Sequence, residues 1–349
     1  METNTLLILY AEIMPYNVAT FNALVNNYKN YHLHVVCWGA DKKLTKYQQP
    51  NNDKITYYDK SKLKYSDILS IYKTIEPKVL LVSGRMEKDY LKLALIARKD
   101  SKIVVGTADN HYNGSLKQKL AIFFSNFLYK RYFEFMLVPG IFQYEYQRLL
   151  GFKREKILFP QYCADTLLFE QAYNNSTTDK KGILFLGRLH TVKGIDMLIK
   201  VHKELFDSNK ISDKLIIIGD GPLKDSLELT TEHIVYYPFM SQNEILSIMS
   251  NVKYFCLPSN SEPWGVVIHE AAAAGLPIVT TTNCGAATAF VKQGYNGYFF
   301  EPGNALKLKE ILLKMNGKNQ QEIHNMGKRS FELSKQIHPE MWSDVLLNL

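Results

Sequence analysis

Only four of the 349 residues are cysteine (Cys37, Cys163, Cys256, Cys284), and no two form a C-x-x-C pair. That pattern suggests neither a disulfide framework nor a zinc site, and it makes a reducing cytoplasm the expected compartment. No stretch approaches the roughly 18 to 20 consecutive apolar residues of a membrane span. Met1-Glu2-Thr3-Asn4 lacks a basic n-region and Leu6–Tyr10 is too short for an h-region, so no leader is expected. There is no D-x-D pair at a strand end to hold a divalent ion, so the expected metal is none. No third glycine completes a dinucleotide fingerprint, which leaves NAD binding unsupported. No nucleic-acid module is present, so no nucleic acid is expected as partner. Between Asp109 and Glu134 there is no acidic residue at all. What remains is 46% hydrophobic and 22% charged, which excludes a disordered or fibrous chain. The length fits two domains.

The charge is one-sided. Residues 1–175 hold 24 Lys and Arg against 16 Asp and Glu, whereas the remainder holds 18 of each, so the whole excess of +8 lies in the first half. An anionic partner for that half is one reading, and a lysine-rich solvated surface is the other. Short β-branched runs alternate with amphipathic stretches through both halves, which predicts right-handed βαβ units on parallel sheets. The expected fold class is α/β, two doubly wound Rossmann-like domains facing a cleft. An amino-terminal domain is expected over 1–170, a linker over the polar stretch 171–180, and a second domain over 181–325. A helical segment over 326–349 would pack back on the first domain.

Three strand-to-loop junctions in the second half carry unusual residues. The first, Ile183 to Gly194, ends a buried strand in Gly187 and then sets Arg188 and Lys193 five apart before a helix. Arginine offers a planar fork for phosphate oxygens, lysine a point charge, and glycine lets backbone approach a ligand. The second, Leu215 to Pro222, ends in Gly219-Asp220-Gly221, and Pro222 is expected to open a helix. The third, Pro258 to Pro277, places Glu262 on a loop and Glu270 in the second turn of a helix beginning near Gly265. Free first-turn amides favour an anion there, and carboxylates accept hydrogen bonds from sugar or ribose hydroxyls. Anion binders and hydroxyl acceptors at one sheet edge together describe a nucleotide-diphosphate sugar.

Residues 181–303 resemble the donor domain of retaining glycosyltransferase family 4, which has the two-Rossmann-domain, B-type architecture. The matching motifs are G-R-L-x-x-x-K-G at 187–194, I-I-G-D-G-P at 217–222 and S-E-P-W-G-V-V-x-x-E-A-x-A-A-G-L-P at 261–277. Cys284-Gly285-Ala286 and Asn296-Gly297 continue the match. The resemblance implies that Arg188 and Lys193 clamp the donor diphosphate, that Glu270 takes the ribose hydroxyls and that Glu262 holds a hydroxyl of the donor sugar. Backbone at Gly265, Val266 and Val267 would assist, and the base would sit near Gly219 and Phe239. It implies no cofactor beyond the donor itself, a UDP-sugar being favoured, and no metal, with transfer by front-face substitution that retains the anomeric configuration.

The first half departs more from the family. Its first strand is followed by Ala11 to Asn17 rather than a glycine-rich loop. His111, after the strand at Ile103–Val105, matches the histidine that the family places near the reaction centre; an exposed loop histidine is the competing reading. In 110–133, Lys117, Lys119, Lys130 and Arg131 are interleaved with Ile122, Phe123, Phe124, Phe127, Leu128, Tyr129, Tyr132 and Phe133. Cations beside aromatics suit an anionic membrane interface, and a core helix with a basic outer face is the alternative. The expectation is a hexosyl- or N-acetylhexosaminyl-transferase acting on a glycan or lipid-linked glycan, cytoplasmic and peripheral on the inner face of the membrane. A nucleotide-sugar epimerase or hydrolase of the same fold, and a non-catalytic adaptor, are the rivals.

Overall fold

The computed structural model describes residues 4–39, 47 and 49–349, so the Met1–Thr3 part of the leader reading lies outside the described residues. The chain divides into two units, Met1–Cys163 with Pro339–Leu349, and Ala164–His338. Counted by unit the charge divides as before, 24 Lys and Arg against 16 Asp and Glu in the first and 18 of each in the second.

The first unit runs β1 (Asn4–Leu9), α1 (Pro15–Asn27), β2 (Tyr31–Cys37), β3 (Ile55–Asp59), α2 (Tyr65–Ile75), β4 (Val79–Val82), α3 (Lys88–Lys99), β5 (Ile103–Thr107), α4 (Leu116–Phe123), β6 (Phe135–Leu137), α5 (Ile141–Leu149) and β7 (Ile157–Leu158). Its seven strands form one parallel sheet in the order β3-β2-β1-β4-β5-β6-β7. Strands such as Leu6-Leu-Ile-Leu9 and Val79-Leu-Leu-Val82 are buried on both faces, as strands covered by helices on either side must be.

The second unit runs α6 (Thr166–Asn174), β8 (Ile183–Leu186), α7 (Ile195–Asp207), β9 (Leu215–Ile218), β10 (Ile234–Tyr237), α8 (Gln242–Met249), β11 (Tyr254–Leu257), α9 (Val266–Ala273), β12 (Ile278–Thr281), α10 (Ala287–Phe290), β13 (Gly297–Phe300), α11 (Ala305–Asn316) and α12 (Gln320–Ser334). The chain then re-enters the first unit as α13 (Pro339–Leu347). The six strands are parallel in the order β10-β9-β8-β11-β12-β13. Both units are therefore doubly wound, Rossmann-like sheets, and the strand order of the second reverses between β8 and β11. The carboxyl edge at such a reversal is where a parallel sheet of this kind opens a crevice.

Three expectations are corrected. The stretch 171–180 is helical as far as Asn174, because Asp165 caps α6 by accepting from the Leu168 amide at 3.1 Å and Phe169 and Ala172 are buried. The units part at Cys163/Ala164 instead. The terminal segment is two elements rather than one. Helix α12 starts at Gln320 and packs on α9, while α13 packs on α1 with Trp342 against Phe21. Finally, Pro222 opens no α-helix, only a single 3₁₀ turn at Lys224–Ser226. The Leu223 amide is drawn back to the Leu189 carbonyl at 3.1 Å, which ties this stretch to the neighbouring loop. Among the described residues no helix is long and apolar enough to cross a membrane.

Candidate functional site

The loops after β8, β9 and β11 form one surface at the carboxyl edge of the second sheet. Hydrogen bonding between neighbours continues past the strands. The Gly187 amide donates to the Ile218 carbonyl at 3.0 Å, Leu189 to Asp220 at 2.9 Å and Gly219 to Tyr237 at 3.1 Å. At Gly194, with φ +66°, any Cβ would collide with the Pro258 carbonyl, so only glycine lets the first and third loops meet. The Asn260 amide then donates to the Val192 carbonyl at 2.8 Å and its side chain to the Thr191 carbonyl at 3.0 Å. The loop after β12 closes the set. Glu262 donates through its amide to the Asn283 carbonyl at 3.1 Å and accepts from the Gly285 amide at 3.0 Å, and Ala286 donates to Trp264 at 2.8 Å. These bonds tie the backbone of the four loops into one rim.

On that rim the buried Glu262 carboxylate forms an ion pair with the half-buried Lys193 ammonium. Gly265, with φ +87°, is the residue before α9; a Cβ there would lie 2.8 Å from Glu262 Cγ, so the glycine leaves room for that carboxylate. The Ile268 amide donates to the Gly265 carbonyl at 2.9 Å, whereas the Val266 and Val267 amides donate to no backbone carbonyl among the described residues. These are the orphan donors of a helix start, at the positive end of its dipole. Cys284 beside them stays a thiol. Burial, with the Glu262 charge adding, pushes it up to about 12, and it donates to the Trp264 carbonyl at 3.3 Å.

Glu270 follows as the fifth residue of α9. Burial pushes its carboxyl up to about 7, and the negative charge of Asp165 adds to the effect. His269, next to it, is fully buried, and desolvation brings it down to about 4. Its Nδ1 accepts from the Ala164 amide at 3.1 Å, so the proton sits on Nε2, which donates to the Ser334 carbonyl at 3.0 Å. Its ring stacks on Phe290 at 4.1 Å between centroids.

Lys193, Glu262, Gly265, Val266 and Val267 are thus brought into one cluster, and Glu270 lies one turn further along the same helix. Arg188 is exposed on the first loop and Gly219 lies on the second. Phe239 stands exposed beyond the edge strand β10, and the Tyr236 hydroxyl nearby donates to the Gly219 carbonyl at 3.1 Å. His111 belongs to the first unit, in the loop after β5, with its ring beside Phe142 and its carbonyl accepting from Gln118 at 2.8 Å. Sequence reading did not find Asp165, Asn260 or His269. Each acts through a partner far along the chain, His269 through contacts 105 and 65 residues away, and no local spacing announces that.

The chain is 35% identical over 132 residues to a 2-deoxystreptamine N-acetyl-D-glucosaminyltransferase of Niallia circulans, which is 36% of this chain and 33% of that one. It is 28% identical over 230 residues, 60% of this chain and 58% of the other, to the N,N'-diacetylbacillosaminyl-diphospho-undecaprenol alpha-1,3-N-acetylgalactosaminyltransferase of Campylobacter jejuni. The chain spans about a third of the length of the first curated relatives it matches. Over its full length it shares the fold of Anabaena HepE, solved in complex with UDP, with a TM-score of 0.73 at 15% identity and 100% of both chains covered. Residues 169–332, the part that carries Arg188, Lys193, Glu262 and Glu270, match the family model described as glycosyl transferases group 1.

Proposed function

We propose that this chain is a retaining glycosyltransferase of the B-type, family 4 kind. It moves a hexosyl or N-acetylhexosaminyl group from a nucleotide-diphosphate sugar, a UDP-sugar by preference, to a glycan or lipid-linked glycan at the cytoplasmic surface of a membrane. The observation that carries this reading is the convergence of Lys193, Glu262 and the free amides of α9 on one rim, with Glu270 a turn away on the same helix. The name of the Campylobacter jejuni relative, with its diphospho-undecaprenol acceptor, and the UDP held by HepE support the acceptor and donor classes.

In this reading the diphosphate enters at the α9 amino terminus and draws Lys193 away from Glu262, with Arg188 joining it. Once relieved of its cation, Glu262 is free to accept from a hydroxyl of the donor sugar. Glu270 accepts from the ribose hydroxyls, and the base lies along Gly219 and Phe239. Negative charge grows on the leaving diphosphate, so the two cations stabilise the transition state more than the ground state. They supply the neutralisation that a metal supplies elsewhere, and the leaving phosphate takes the acceptor proton. By the same resemblance His111 belongs to the acceptor side.

A panel of UDP-, GDP- and TDP-sugars, read by thermal stabilisation and then by transfer with and without acceptor in EDTA, tests the reading. A donor at about 100 times its Kd should stabilise by about 2.7 kcal/mol. Absence of stabilisation by every donor would sink the donor site. Sugar released equally well without acceptor would turn the reading to an epimerase or hydrolase, and activity lost in EDTA and restored by a divalent ion would sink the assigned role of the cations.

A further inference from the structure

A surface helix normally turns its large apolar side chains inward. Helix α4 and the wider helical turn that continues it over Asn126–Lys130 do the reverse. The residues directed at the first unit are few, Ala121, Ile122, Ser125 and Tyr129, and most of the large apolar side chains point away from it. Ser125 is buried, and Ala121 and Ile122 pack on the core. The outward residues are Leu116, Leu120, Phe123, Phe124 and Phe127, exposed by 79%, 60%, 81%, 46% and 67%. Their spacing of i, i+4, i+7, i+8 and i+11 is that of a single helix face. At about 100° per residue, Lys117 falls on one flank of this stripe and Lys119 on the other. Lys130 and Arg131 follow, and Arg85 approaches from the loop after β4, lying over the Tyr129 ring at 4.8 Å. The nearest acidic residues in sequence are Asp109 and Glu134.

We infer that this stripe is a docking face for an anionic phospholipid bilayer, with α4 lying in the interface plane. The three chemical features agree. Apolar side chains that reach outward enter the acyl boundary. Flanking lysines can extend their ammonium groups to the headgroups, and the unit that carries them holds the whole +8 excess. A second copy of the chain is a poorer occupant. A two-fold contact through the stripe would bring the cations that flank it in one copy to the same cationic patch of the other, with no carboxylate in 110–133 to neutralise them. The inference deepens the proposed function and rests on it for its purpose, which is to bring the first unit to a lipid-linked acceptor. Its test is read without sugar transfer, so the two can fail separately.

The full chain is sedimented with vesicles of phosphatidylcholine alone and mixed with phosphatidylglycerol, at low and high salt. UDP-induced thermal stabilisation is followed in parallel. Binding is expected to the mixed vesicles only and to fall as salt rises. K117Q with K119Q should weaken it about 25-fold, at about fivefold per cation, and F123S with F127S should abolish it at every salt concentration, both variants keeping the UDP response of the parent. Phe123→Trp should show a blue-shifted emission with the mixed vesicles. Parent protein left in the supernatant at low salt, or F123S with F127S binding as the parent does, would overturn the inference. So would a concentration-dependent dimer, seen by light scattering without lipid and lost in F123S with F127S. If UDP stabilises nothing while the vesicles still bind, the inference stands and the donor reading falls.

Discussion

Glu270 and Glu262 have opposite problems, one with no cation paired to it among the described residues and the other holding one closely. A carboxyl pushed up to about 7 by burial and by Asp165 is a poor acceptor for ribose until it ionises. Two hydroxyls donating to it favour the charged form, so nucleotide binding near pH 6.5 should release a proton, and affinity should fall as pH drops below about 7. For the free protein the sign is the other way. The folded state holds this proton more tightly than the unfolded chain does, so the cost of Glu270 is present above pH 7 and is relieved as pH falls towards the ordinary carboxylate range. Titration calorimetry in two buffers of different ionisation enthalpy reads the release directly, and Glu270→Gln should remove it. An unchanged release in that variant would place the titrating group elsewhere. Glu262 is bound to Lys193, which the diphosphate must capture. Glu262→Gln should therefore tighten UDP by about fivefold, corresponding to about 1 kcal/mol for a freed cation, while turnover falls by at least about a hundredfold. Weaker UDP binding together with unchanged turnover would show that the pair is only structural.

At the scale of elements, α9 carries the orphan amides and Glu270, and its position is set by what it packs on. Gly327 lies in the middle of α12, where a Cβ would stand far inside contact distance of the Gly275 carbonyl oxygen just beyond α9. Glycine in a helix interior costs about 1 kcal/mol relative to alanine, so on propensity alone Gly327→Ala would stabilise. Here the obstacle is backbone and cannot swing away, and overpacking costs about 1 to 3 kcal/mol. The steric effect should win, lowering the urea midpoint and, through a displaced α9, weakening UDP. Gly317→Ala is the control, since its φ is −69° and its Cβ would meet only ordinary contacts; it should be neutral or stabilising. Equal responses of the two variants would show that α12 does not set the position of α9. Much of this level was legible in the sequence. Buried parallel strands are near-continuous apolar runs, so Ile183-Leu-Phe-Leu186, Leu215-Ile-Ile-Ile218 and Tyr254-Phe-Cys-Leu257 announce themselves, and the glycines that end the first two mark where backbone must pass closely. The Lys193–Glu262 pair was not legible as a pair, because 69 residues separate them and both carried roles of their own. The sequence likewise showed cations interleaved with aromatics over 110–133 but could not decide between an outward apolar face and a core helix with a basic outer face.

The whole molecule is laid out so that the second unit, 164–338, is inserted in the first. The last eleven residues therefore complete a core whose other members lie before residue 164. Trp342 is 3% exposed against Phe21, Leu346 is fully buried in the same cluster, and the Tyr28 hydroxyl donates to the Asp344 carboxylate at 2.6 Å. The expectation of a terminal helical segment on the first domain gave neither the bounds of α13 nor the residues it buries, because the apolar period of 339–347 fits any surface that needs a helix. The packing of α13 also decides what damage there should do. Removing the Trp342 side chain leaves a large cavity in the first unit, and truncations of this kind cost about 3 to 5 kcal/mol. The residues that would bind nucleotide all lie in 188–270, in a sheet with its own core. Trp342→Ala should thus expose the first unit to limited proteolysis and lower its unfolding transition, while UDP still binds within about twofold of the parent affinity. Deleting 339–349 should do the same more severely. If Trp342→Ala instead lost UDP binding together with its proteolytic resistance, α13 would be needed by both units, and the donor half could not be treated as folding on its own terms.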